Sequence, residues 1–231
     1  MTARIKLLTS NSMHGVLDEL LPRFEGARGH KVEVSYDPAK VMLARIRAGE
    51  TADLAILGAS AIDALVKEGR IVAASRRELA RCGVGVGVRK GAPRPDIGSA
   101  KAFRQALLGA KSIAYTLEGA SGIHFAGLIE RLGIAAQVRA KARTQAGGLV
   151  GELVARGEAE LAVQQIPEIM AVPGVDYAGP LPKALQLITT SAAGIFADAA
   201  QPDAARALLD FLAAPGSARV FEAKGLEPSG G

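Results

Sequence analysis

The chain has 231 residues, of which 49% are hydrophobic and 4% aromatic, and it carries a formal charge of +5. The scattered basic residues have no interleaved aromatic residues, which argues against nucleic-acid binding. The single cysteine excludes an intramolecular disulfide and a cysteine metal cluster, and no apolar run is long enough to span a membrane. We therefore expect a globular α/β protein with no metal site, no cofactor and no membrane insertion.

Three strands in the first seventy residues are each followed by a polar turn and a helix, at Ile5–Leu8, Lys31–Tyr36 and Ala52–Leu57. Repeated βα units predict a parallel sheet with right-handed crossovers. The carboxyl ends of such strands are where open α/β sheets bind ligands.

The turns that open the first two helices are candidate anion sites, because the first N–H groups of a helix lack intrahelical partners and the helix dipole is positive there. The candidate ligand-binding residues in these turns are Ser10, Asn11, Ser12, Ala39 and Lys40. Lys40 has two interpretations, a solvated surface lysine or a charge directed at the ligand.

A second lobe is expected to begin near Cys82–Val88, where glycine alternates with apolar residues. The strand Ser112–Tyr115 is followed by a Gly/Ser-rich turn containing Ser121, Gly122 and His124. This turn is either an anion site or an ordinary helix start. In the latter case Ser121 is the N-cap and the buried helix face is predicted to comprise Ile123, Leu128, Ile129 and Leu132.

The remaining pattern predicts a strand at Val138–Ala142, a polar turn with Gln145, and a strand Leu161–Gln164 that ends in two amides. Gln164 and Gln165 are either turn residues or donors to a ligand oxygen. A long β-run, Leu185–Phe196, is predicted to return to the first lobe. The expected lobes are therefore residues 1–83 with 190–231, and residues 84–189.

Five segments taken together resemble the molybdate-binding proteins of ABC importers: Ser12–Leu20, Ile46–Leu54, Ser121–Ala126, Arg156–Ala159 and Ala204–Leu212. The resemblance implies a type II periplasmic-binding-protein fold, with two α/β lobes joined by two crossover strands. It further implies a monomer that closes by a hinge on an oxyanion in the interlobe cleft, without metal, and that docks to a permease.

Carried over residue by residue, the resemblance implies that Ser12 and the Ser121–Gly122 helix start bind the ligand. The second-loop serine of the family falls on Ala39 or Lys40, and its late tyrosine falls on Gln165. Two hydroxyl donors are therefore missing. Lysine favours additional negative charge and glutamine can pair with a carboxylate, so a di- or tricarboxylate is expected as readily as molybdate.

Two functions follow from these observations. The first is a non-catalytic anion-binding component of an importer. The alternative is an isomerase, since the chain also resembles aconitate isomerases, and the chemistry would then need a base such as His124, His14 or Lys40. A periplasmic location is expected if a leader was removed, and a cytoplasmic one if Met1 is the native start.

Overall fold

The computed structural model describes residues 2–229, and within them the chain forms eleven strands and ten α-helices. The strands are β1 (Arg4–Thr9), β2 (Lys31–Tyr36), β3 (Leu54–Gly58), β4 (Arg77–Cys82), β5 (Val84–Arg89), β6 (Ile113–Thr116), β7 (Ala142–Gln145), β8 (Leu161–Gln165), β9 (Val175–Pro180), β10 (Thr189–Ile195) and β11 (Glu227–Pro228). The helices are α1 (His14–Arg28), α2 (Ala39–Arg47), α3 (Ala59–Lys67), α4 (Ala100–Gly109), α5 (Ala120–Arg131), α6 (Ala135–Arg139), α7 (Gly151–Ala155), α8 (Ile166–Met170), α9 (Pro202–Leu212) and α10 (Pro215–Ala223). In this described part of the chain, no helix is both long and apolar enough to cross a bilayer.

The chain divides into two compact units. The first unit comprises the described residues up to Arg81 together with those from Thr189 onward, and the second unit is Cys82–Ile188. Each unit has its own mixed sheet covered by helices, which is the predicted α/β class. The first unit is therefore built from two separate stretches of sequence, whereas the second is continuous.

The sheet of the first unit has the strand order β11-β4-β10-β3-β1-β2. Strand β1 runs parallel to both β2 and β3, which confirms the predicted parallel βα units, while β10 is antiparallel to β3. The carboxyl ends of β1, β2 and β3 therefore lie at one edge of the sheet, and the turns into α1, α2 and α3 all start there.

The buried carboxylate of Asp53 stabilises the first unit through hydrogen bonds to the backbone. Asp53 is 4% exposed, and its two oxygens accept hydrogen bonds from the backbone N–H groups of Lys6 and Gln201, each at 2.7 Å. Because Lys6 belongs to β1 and Gln201 immediately precedes α9, this one side chain joins the two stretches of sequence that form the first unit. Asp53, the polar residue immediately before the apolar strand β3, therefore has a structural role.

The sheet of the second unit has the order β7-β6-β8-β5-β9, with β6 parallel to β7 and β8, and β5 antiparallel to β8 and β9. The alternating glycines of β5 leave space for bulky neighbours. A Cβ at Gly85 would lie 2.7 Å from the ring of Tyr177, and one at Gly87 would lie 2.8 Å from a methyl of Ile169. The sequence pattern thus marks close packing of β5 against β9 and α8.

The structure corrects several predicted elements. Residues Val138–Ala142 are not a strand, because Gly133 adopts the left-handed conformation after α5 and the chain then enters the short helix α6, which buries Val138. The predicted run Leu185–Phe196 is also too long, since a 3-10 turn occupies Lys183–Leu185 and β10 begins only at Thr189.

Candidate functional site

Three of the predicted anion-binding residues, Ser10, Asn11 and Ser12, lie at the carboxyl end of β1. The hydroxyls of Ser10 and Ser12 are 3.0 Å apart, and Asn11 and Ser12 are buried in a 3-10 turn that leads directly into α1. No side chain caps the start of this turn. The junction therefore combines two adjacent hydroxyls with backbone N–H groups that have no side-chain partner.

The start of α2 brings a positive charge to the same edge of the sheet. Lys40 is exposed and has no ion-pair partner among residues 2–229, and Ala39 beside it is half-buried. The nearby carboxylate of Asp37 is paired with Arg45, which also binds Glu50 at 2.6 Å. Because Arg45 already neutralises Asp37, the charge of Lys40 is not cancelled within this turn.

The β6–α5 junction differs from the ordinary helix start that the sequence offered as one alternative. Gly119, and not Ser121, occupies the N-cap position, and no side chain caps the helix. Ser121 lies inside the first turn and is 1% exposed. The predicted buried face is also wrong at Ile123, which is 53% exposed, while Phe125, Leu128 and Ile129 form the buried face.

Close contacts with Thr116 explain why glycine occupies positions 119 and 122 of this junction. The sequence pattern alone does not indicate this role of Thr116. A Cβ on Gly122 would lie 1.7 Å from the Thr116 carbonyl oxygen, and one on Gly119 would lie 2.5 Å from its hydroxyl. The Thr116 hydroxyl is buried and has no hydrogen-bond partner within the described residues. A buried hydroxyl normally has a hydrogen-bond partner, so the Thr116 hydroxyl, which has none within the described residues, is an unusual feature of this helix start.

The turn after β7 lies beside this junction. The backbone N–H groups of Leu117 and Glu118 donate to the carbonyls of Gln145 and Ala146 at 2.9 and 3.0 Å. Gln164 braces the same turn, since its amide oxygen accepts from Val150 N–H and its amide nitrogen donates to the Gly148 carbonyl. Both polar atoms of Gln164 are thus engaged with backbone, whereas Gln145 is half-buried beside the α5 start.

Gln165 and Glu168 form a capping box at the start of α8, a role of Glu168 that the sequence pattern alone does not reveal. The backbone N–H of Gln165 donates to the Glu168 carboxyl group at 3.3 Å. Burial raises the pKa of Glu168 to about 8, although hydrogen bonds from Gln165 and Gln164 act in the opposite direction. The Gln-x-x-Glu spacing with an intervening proline is compatible with this cap.

The three histidines have different surroundings. His124 on α5 donates from Nε2 to the Leu185 carbonyl at 2.8 Å, because a carbonyl oxygen can only accept. His30 Nδ1 accepts from the backbone N–H of Ala3. His14 is the first residue of α1 and stacks on Tyr36. Across residues 2–229, no three His, Cys, Asp or Glu side chains are arranged to hold a metal ion.

Comparison with known sequences gives matches over nearly the whole chain. The family model of bacterial extracellular solute-binding proteins matches residues 5–227. An aconitate isomerase from Pseudomonas sp is 36% identical over 230 residues, which cover 97% of this chain and 87% of that protein.

Solved structures of low sequence identity share the fold. The periplasmic molybdate-binding protein of Azotobacter vinelandii superimposes with a TM-score of 0.80 at 18% identity, covering 96% of this chain and 98% of that one. A tungstate-binding protein from Desulfovibrio alaskensis G20 gives a TM-score of 0.66 at 14% identity, with both chains covered completely. The chain has the type II periplasmic-binding-protein fold and belongs to the family of bacterial extracellular solute-binding proteins.

Proposed function

We propose that this protein binds an aconitate-type tricarboxylate and interconverts its cis and trans isomers by proton transfer. The observation that carries this proposal is the 36% identity to an aconitate isomerase across 97% of the chain. The identity to the molybdate-binding structure is half of that value, at 18%, and supports the fold alone.

The polar groups within each unit suit a ligand with several carboxylates. In the first unit, the uncancelled charge of Lys40 and the Ser10 and Ser12 hydroxyls follow neighbouring parallel strands. In the second unit, the α5 start offers N–H groups without a side-chain cap, next to the Thr116 hydroxyl. Ammonium, hydroxyl and N–H groups all donate hydrogen bonds to carboxylate oxygens.

The proposed reaction moves one proton and changes no oxidation state. A base removes a proton from the CH2 group beside the carbon–carbon double bond, and the electron pair is delocalised over the allylic carbons and the adjacent carboxylate. The proton returns to the former vinyl carbon, so the double bond shifts by one position and its new geometry is cis or trans. The candidates for this base are His14, His124 and Lys40.

The second candidate function is anion binding without turnover, with an ABC permease as the partner and a periplasmic location. It is favoured by the family match, whose description is that of an extracellular solute-binding protein. It is also favoured by the shared fold of the molybdate- and tungstate-binding proteins. In this case a bound anion would be released to a transporter unchanged.

Proton NMR with cis- and trans-aconitate separates the two functions. The isomerase proposal requires interconversion of the two sets of signals, with incorporation of solvent deuterium into the substrate in D2O. Thermal stabilisation by aconitates without any interconversion would instead support the binder. Stabilisation by molybdate or tungstate, and not by any carboxylate, would contradict the tricarboxylate proposal altogether.

Lys40→Ala tests the role of the uncancelled charge. Loss of one charge-assisted hydrogen bond should weaken tricarboxylate affinity about tenfold or more, as measured by calorimetry. Lys67→Ala is the matched control, because Lys67 is an exposed lysine of the same unit in the last turn of α3. Equal affinities for the Lys40→Ala variant and the unmodified protein would remove Lys40 from the binding residues.

A further inference from the structure

His14 has a setting that neither of the other histidines shares. Its ring lies on the ring of Tyr36, with centroids 4.1 Å apart and an angle of 17° between the planes. Its Nδ1 is 3.2 Å from Oδ2 of Asp18, one helical turn further along α1. The side chain of His14 is 35% exposed, so the ring is held on two sides and remains open to solvent.

The chemistry of the partner fixes the role of each ring nitrogen. An ionised carboxylate only accepts hydrogen bonds, so Nδ1 carries the proton and donates it to Asp18. In the neutral imidazole the lone pair then resides on Nε2, at the outer end of the ring. No group among residues 2–229 forms a hydrogen bond with Nε2. His14 thus presents an unshared, oriented basic nitrogen.

His124 lacks these properties. Its outer nitrogen, Nε2, is the atom bound to the Leu185 carbonyl, so the lone pair of its neutral ring is on Nδ1, next to its own helix backbone. Because this bond occupies the outer nitrogen, only Nδ1 of His124 could accept a proton from a substrate. Lys40 has no hydrogen-bond or ion-pair partner among residues 2–229 that would orient its side chain.

The position of His14 places it among the proposed anion-binding groups of the first unit. His14 follows the Ser10–Ser12 turn immediately in sequence, and Tyr36 is opposite Thr9 at the carboxyl ends of paired strands β1 and β2. Burial and the charge of Asp18 raise the pKa of Tyr36, so its hydroxyl stays neutral. The ring therefore stacks on an uncharged partner at the edge of the sheet where the polar turns begin.

We infer that His14 Nε2 is the base that takes the substrate's CH2 proton, that Asp18 positions the ring, and that Tyr36 supports it by stacking. This inference rests on the proposed isomerase function. In the forward step the C–H bond breaks, Nε2 gains the proton, and the electron pair stays on the substrate as an allylic carbanion. In the second step Nε2–H returns the proton to the other allylic carbon, and His14 is neutral again.

The test compares kcat, KM and deuterium incorporation for aconitate in the unmodified protein and in four variants. His14→Gln should lower kcat and the deuterium incorporation rate together by about a hundredfold or more, while tricarboxylate binding persists. Asp18→Asn should lower kcat by about tenfold with little change in KM, and Asp18→Glu should recover most of it. Glu19→Gln is the matched control, since Glu19 is the adjacent carboxylate on α1 and pairs with Arg23.

The outcomes separate this inference from the function on which it rests. An unmodified protein that neither interconverts aconitates nor exchanges their protons would overturn both. An active unmodified protein whose His14→Gln variant keeps its full kcat would overturn only the assignment of His14. If His14→Gln does not fold, Asp18→Asn and Asp18→Glu decide, because a purely structural Asp18 would change thermal stability and leave kcat of the folded fraction unchanged.

Discussion

At the scale of single residues, the buried carboxyl group of Glu168 makes the stability of the folded protein depend on pH. Its carboxyl group caps α8 from a buried position, and burial raises its pKa to about 8 from the ordinary value of 4.5. The folded protein therefore holds the proton more tightly than the unfolded chain does. This contribution to stability is complete below about pH 4.5 and is lost as the pH rises through 8.

Glu168→Gln should remove this pH dependence, because glutamine keeps the capping box and carries no charge. We expect the variant to have a higher melting temperature than the unmodified protein at pH 8.5 and a similar one at pH 4.5, as measured by calorimetry. Glu160→Gln is a control in the same unit, since Glu160 is an exposed carboxylate that accepts a hydrogen bond from Lys111 N–H. A constant difference between Glu168→Gln and the unmodified protein at both pH values would contradict the protonated state of Glu168.

At the scale of elements, the β6–α5 junction depends on close backbone packing. Gly122 contacts the carbonyl of Thr116 so closely that a Cβ would lie 1.7 Å from its oxygen. Gly122→Ala should therefore destabilise the protein by about 3 kcal/mol, measured by urea unfolding, because the helix must move away from the strand. Gly127→Ala on the same helix has nothing within 4 Å of its new Cβ and should stabilise by about 0.5 to 1 kcal/mol. Equal effects of the two substitutions would refute this account of the junction.

The elements also show what a sequence reveals and what it hides. The three βα units were predictable because apolar strands alternate with turns and with helices ended by glycine, as at Gly29, whose left-handed conformation terminates α1. Helix α6 has only five residues, too few to distinguish a helical from a strand period around Val138. Strand β4, Arg77–Cys82, is not predicted, because its charged residues interrupt the apolar pattern that would indicate a strand.

In the candidate site, too, some features could be predicted from the sequence and others could not. Polar turns at strand ends are visible in the sequence, and Ser10, Ser12 and Lys40 were named from it. The partners that give side chains their roles were not visible, because they depend on side-chain geometry. Asp18 reaches His14 across one helical turn, and Tyr36 reaches it from a neighbouring strand.

At the scale of the whole molecule, the two units differ in how the chain builds them. The second unit is a continuous segment with its own buried core around Phe103, Phe125 and Val163. We expect residues 82–188 expressed alone to unfold cooperatively and to give a dispersed NMR spectrum. Residues 1–81 alone should remain unfolded or aggregate, since they lack β10, which lies between β3 and β4. A cooperatively folded 1–81 fragment would contradict this prediction.

The interrupted sheet of the first unit also sets an order of events during synthesis on the ribosome. Strands β1, β2 and β3 emerge first, but the side of β3 that pairs with β10 stays unoccupied until Ile195 has left the exit tunnel. The whole second unit is translated in between, which takes on the order of 10 s at ordinary elongation rates. An apolar strand with an open edge is a site of misassociation during that interval. We therefore expect the second unit to fold first, while the nascent first unit depends on chaperone protection until its central strand arrives.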